Sequence, residues 1–117
     1  MQNVSDEIYK NHEGTVMVSG KSEVGKVARY ITHLLQKDVT LIEVFFIGAN
    51  AGQQACKACA VASVIADEEL EYKLAFTTAR AKTQTEVRNI AGESVKEDGK
   101  LVYAVKDAFI WRVIKLP

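Results

Sequence analysis

The sequence predicts an α/β (α+β) domain whose elements run strand, helix, strand, helix, strand, long loop, strand. Three observations carry that prediction. Residues 42–65, IEVFFIGANAGQQACKACAVASVI, open as an unbroken apolar run of strand formers, turn at Gly48 and continue as a helix of mostly Ala, Cys and Val. Val24, Val27, Ala28, Ile31, Leu34 and Leu35 recur upstream at helical spacing. Downstream, Tyr72, Leu74, Phe76 and Thr78 alternate with Glu71, Lys73 and Thr77, the period of a strand.

In chain order, residues 1–13 are polar and unpatterned and read as a tail, either loose or docked elsewhere, ahead of one domain over residues 14–117. Thr15 to Val18 is a short first strand, closed by Ser19, Gly20 and Lys21. Ser22 is the expected N-cap of the first helix and Glu23 suits its first turn. Lys26, Arg29, His33 and Lys37 form that helix's polar face, which is ordinarily only solvated. The second strand, residues 40–47, is apolar at successive positions. This marks a strand covered on both faces, as in a parallel sheet with helical crossovers, and makes it the central strand.

A second helix is expected over residues 51–67, with Asp67, Glu68 and Glu69 in the exit turn, and a third strand over residues 70–83. From about 79 to 100 the sequence turns hydrophilic and carries the turn signals Ala91-Gly92 and Asp98-Gly99, which predicts an exposed hairpin arm. Residues 101–116 complete the sheet, with Tyr103, Val105, Phe109, Trp111 and Val113 on one face.

Composition narrows the function. With 48% apolar and 26% charged residues in 117, the chain is neither disordered nor membrane-like, and no stretch approaches the roughly 20 apolar residues of a membrane span. The N-terminus lacks a secretory apolar region, so a cytoplasmic address is expected. Fifteen basic residues balance fifteen acidic ones, so any contact with nucleic acid has to rest on a local patch.

Gly20-Lys21-Ser22 copies the end of a nucleotide-binding loop. The first glycine of that motif would fall on Thr15, though, and the residues between read as strand. Cys56 and Cys59 form a Cys-x-x-Cys pair inside a helix. Cys59 shares a helical face with Ala51, Ala55, Ala58, Ala62 and Ile65, which makes it a packing residue, with Cys56 at the stripe's edge. A zinc site would need His12 and His33 from separate segments, so no metal and no cofactor is expected. The turn after the central strand offers amides and small residues but no His, Asp or Glu, so no catalytic residue is assigned and an enzyme is the weakest reading.

The turn does offer free backbone N–H groups at a helix start, which attract anions. A phosphate-facing surface is therefore expected from Lys21, Asn50, Gln53, Gln54 and Lys57, extended by Arg80, Lys82 and Arg88 from the arm. Two readings stay open. One is a DNA- or RNA-binding regulatory protein, and the other is a self-associating interaction module without nucleic acid. Two helices cover only one face of a sheet, so the apolar residues left over predict a homodimer or larger homo-oligomer.

The run Val18-Ser19-Gly20-Lys21-Ser22, followed by Val24 and Val27-Ala28, and the run from Ile47-Gly48-Ala49 through Gln54-Ala55, Lys57-Ala58 and Ala60-Val61-Ala62 resemble the bacterial stage V sporulation protein S family. That family is similar in fold to the archaeal chromatin protein Alba. The resemblance implies a mixed four-stranded sheet with both helices on one face, pairing into dimers, and nucleic-acid contact through a hairpin and a loop lysine, here Lys21. The chain departs from the family at Ser63, where Arg is usual, in its longer arm and in its extra N-terminal tail.

Overall fold

The computed structural model of the chain describes residues 8–117. Its elements are β1 (Thr15–Val18), α1 (Val24–Gln36), β2 (Ile42–Phe46), α2 (Ala49–Ile65) with a π-helical turn (Ala66–Leu70), β3 (Lys73–Glu86), the two-residue strands β4 (Lys96–Glu97) and β5 (Lys100–Leu101), and β6 (Tyr103–Leu116). The main sheet has the order β1-β2-β6-β3. β1 and β2 are parallel, and β6 runs antiparallel to both β2 and β3. This is the mixed four-stranded α+β sheet that was expected.

The core follows from the period of each element. Ile42, Val44 and Phe46 alternate toward the helices, where they meet Ala28, Ile31, Leu34 and Leu35 of α1 and Ala51, Ala55, Cys59 and Ala62 of α2. The small side chains of α2 bring its backbone close to the sheet. At Gly52 a β-carbon would lie 3.0 Å from the Phe46 ring. Val113, Trp111 and Phe76 extend this front layer across β6 and β3.

β2 is interior and all five of its residues are buried, but the double cover differs from the parallel-sheet expectation. Only β1 is its parallel neighbour, and both helices lie in front. The back cover comes from the segment before β1, where Tyr9 packs on Phe45, Ala81, Ala108 and Ile110. The described part of the expected N-terminal tail, residues 8–13, thus lies against the sheet; residues 1–7 fall outside the described region.

Local expectations shift by a few residues where hydrogen bonds decide. The N-cap of α1 is Glu23, without a side-chain cap bond, because the Ser22 hydroxyl turns back to accept the Ser19 N–H at 2.9 Å. α2 starts two residues early, at Ala49, since Gly48 takes φ +84° and the Gly52 N–H already bonds the Gly48 carbonyl. Asn50 therefore stands in the first helical turn. β3 begins at Lys73, after a left-handed Glu71 (φ 60°), and continues to Glu86 because β6 pairs with it throughout.

β2 meets β6 only from Phe109 to Val113, so the Glu86 and Tyr103 ends of β3 and β6 continue as a two-stranded ribbon. Its tip is a small hairpin whose turn has positive φ at both Asp98 (50°) and Gly99 (76°), the conformation that suits a two-residue hairpin. Among the described residues no helix is long and apolar enough to cross a membrane.

Ile31 is fully buried where α1 meets the sheet. Ile31→Ala is expected to lower unfolding free energy by about 2–5 kcal/mol, read from the urea midpoint, because the rigid strand behind it cannot collapse into the cavity.

Candidate nucleic-acid interface

β1 and β2 are parallel, so their C-terminal ends and the loops that follow lie at one end of the sheet. There the β1–α1 loop and the β2–α2 turn flank a groove of about 640 Å³. Its floor is Met17, Phe45 and Ile47, and Ser19, Gly20, Lys21, Gly48, Ala49 and Asn50 stand around it. The Lys21 loop is braced internally, with the Lys21 N–H donating to Ser19 Oγ at 3.2 Å and the Ser22 N–H to the Ser19 carbonyl at 3.1 Å. A β-carbon on Gly20 would come within 3.0 Å of Asn50 Cβ, so the two loops touch. The first N–H groups of α2, without partners inside the helix, open at this end.

The expected site residues divide into two sets. Lys21 and Asn50 share the groove. Gln54 ties the two loops together, donating from Nε2 to the Ser22 carbonyl at 2.8 Å, so its amide is partly spent on structure. Gln53 and Lys57 are exposed and follow Asn50 at helical spacing, which places all four α2 residues on one outer stripe.

The arm rises from the same end. Arg80 pairs in register with Phe109, which pairs with Phe46 at the end of β2. Arg80 therefore stands level with the start of α2, two strands away, and is exposed.

Lys82 and Arg88 are less available. Lys82 Nζ is held by Asp107, its neighbour across the ribbon, and that contact keeps the Asp107 carboxyl below its ordinary range. Arg88 folds onto the arm tip, donating to the Gly92 carbonyl at 2.9 Å with Glu86 beside it at 3.5 Å. Among the described residues Lys21, Lys57 and Arg80 have no carboxylate partner within 4.0 Å.

Sequence reasoning missed a polar cluster on the back of the sheet. Glu43 is buried at 4% exposure and meets three donors. Arg112 Nε donates to Oε2 at 2.8 Å, His12 Nε2 to Oε1 at 2.7 Å, and the Tyr9 hydroxyl to Oε1 at 3.2 Å. The Gly14 N–H donates to His12 Nδ1, which leaves the imidazole proton on Nε2, facing the carboxylate. Burial pushes the Glu43 carboxyl up, but the bonds from Arg112, His12 and Tyr9 outweigh it and hold the group below its ordinary 4.5. Burial also raises the Tyr9 hydroxyl. The one available signal was a carboxylate inside the apolar run IEVFF, since a buried charge requires partners.

Residues 14–88 match the family described as Stage V sporulation protein S (SpoVS). The match begins at Gly14, just ahead of β1, and ends just past β3, so it takes in both loops of the groove. No curated protein matches the chain.

Two measurements check this geometry. The folded-state pKa of Glu43 lies below its unfolded value, so the stability it contributes is full above pH 4.5 and is lost as pH falls through the lower folded value. Glu43→Gln is therefore expected to cost about 1–3 kcal/mol at neutral pH, and to show a smaller drop in urea midpoint between neutral and acid pH than the native chain. In the folded protein a thiol reagent should modify exposed Cys56 first. Cys59, pushed up to about 12 by burial and then by its neighbour Cys56, should react only on unfolding.

Proposed function

The chain belongs to the stage V sporulation protein S family, a family of sporulation-related proteins, and from that premise we propose that it is a non-catalytic regulator that binds the backbone of DNA or RNA. The observation that carries this reading is the meeting, at one end of the sheet, of the Lys21 loop with the open N-terminus of α2. A phosphate there would meet an ammonium group and backbone N–H donors together. Lys57 and Arg80 would flank it as further cations. Asn50 and Gln53 would add donors to the backbone or to base edges. Lys82 and Arg88 contribute less, because each would first have to leave Asp107 or Glu86. With no net charge, binding would be local and governed by shape.

A second reading, self-association without nucleic acid, is favoured by the far half of the same α2 stripe. There Val61 and Val64 are exposed at 39% and 55%, while Tyr103, Val105 and Phe109 are open on the front of the ribbon. A dimer joined through these side chains would set two groove ends in one assembly, so self-association by itself is also compatible with the first reading.

Fluorescence anisotropy with short labelled DNA and RNA separates them. If about six phosphates are engaged per dimer, affinity should fall about a thousandfold between roughly 50 and 200 mM salt. Lys21→Ala and Lys57→Ala, each removing two lysines from the dimer, should weaken binding across all sequences and reduce the salt slope by about two. Absence of binding at low salt, with Val64→Asp splitting a dimer seen by light scattering, would leave only the interaction module.

A further inference from the structure

Residues 8–13 lie before the stretch that matches the family, yet they are bound into the fold at both ends. Ile8 bridges to Lys82, and the Tyr9 N–H donates to the Lys82 carbonyl at 2.7 Å, on the outer edge of β3. The Tyr9 ring then stacks on Phe45, with 4.8 Å between centroids. Its hydroxyl bonds Thr15 Oγ1 at 2.7 Å beside Glu43. The segment ends in a tight turn, where the Thr15 N–H donates to the His12 carbonyl and the His12 N–H to Thr15 Oγ1. It crosses the back of the sheet from β3 to β1.

We propose that residues 8–13 are a built-in strap that denies the back of the sheet and the open edge of β3 to a second copy of this chain. β3 is a 14-residue edge strand, and such an edge offers a row of unpaired N–H and C=O groups to any other strand. Among the described residues Ile8 and Tyr9 supply the backbone contacts on that edge.

The back of β3 beside the edge carries Ala75, Thr77, Ala79 and Ala81, paired in register with Ile114, Arg112, Ile110 and Ala108 of β6. Without Tyr9, Phe45 and Ile110 would join it as an apolar patch. The occupant this surface would then suit is its own copy, because two β3 edges meeting antiparallel about a two-fold axis are self-complementary. The strap interrupts that pairing at Lys82 and leaves association to the front of the molecule.

The test uses the full chain. Tyr9→Ala should gain larger, concentration-dependent species by light scattering and bind a hydrophobic dye severalfold more strongly than the native chain. Tyr9→Phe, which keeps the ring, should match the native mass. Adding Ala79→Lys to Tyr9→Ala should reverse the gain, and adding Val64→Asp on the front should not. The proposal is overturned if folded Tyr9→Ala keeps native mass and dye binding, or if Val64→Asp alone reverses its association. Should Tyr9→Ala lose the fold, hydrogen exchange of the native chain decides. A Tyr9 amide exchanging faster than the Ile110 and Trp111 amides supports a strap, and equal protection makes the segment core and overturns it.

Discussion

The structure depends on β2, a strand with no side chain exposed to water. Neighbouring strand residues point to opposite faces, so burying all five needs two covers. The front cover is made by α1 and α2, whose stripes lay Ile31, Leu34, Leu35 and a run of alanines over Val44 and Phe46. The back cover is one aromatic ring, Tyr9, over Phe45. Glu43 shares that back face, and its charge is tolerated only because Arg112, His12 and Tyr9 all bond to it. The first residues of the domain are thus tied to its last strand through one carboxylate.

The same packing positions the candidate interface. Alanines let α2 lie close to β2, Gly48 turns the chain sharply enough to start the helix directly after the strand, and the helix N-terminus then opens beside the Lys21 loop. The electrostatics are economical. Carboxylates hold Lys82 and Arg88, while among the described residues Lys21, Lys57 and Arg80 stand without such partners. In a chain without net charge, any local excess of one sign depends on which charges are paired and where the others lie.

Much of this was legible before folding. The heptad-like stripe of α1, the small-residue stripe of α2 and the apolar run of β2 are local periodicities, and local periodicity fixes which face of an element is buried. The buried state of Cys59 followed from its place among alanines. A helix start with free N–H groups after β2 could be anticipated, because a strand leading directly into a helix leaves such groups wherever it occurs.

The sequence by itself therefore determined the elements, their buried faces and the nature of the turn at Gly48, because each depends on residues within a few positions of one another. Only the tertiary structure decided which charges are spent and what covers the back of the sheet. His12 and Arg112 lie 31 and 69 positions from Glu43, and Asp107 lies 25 positions from Lys82. Whether such groups meet is set by strand order and register, and a shift of one residue in the pairing of β3 with β6 would turn Lys82 and Asp107 to opposite faces.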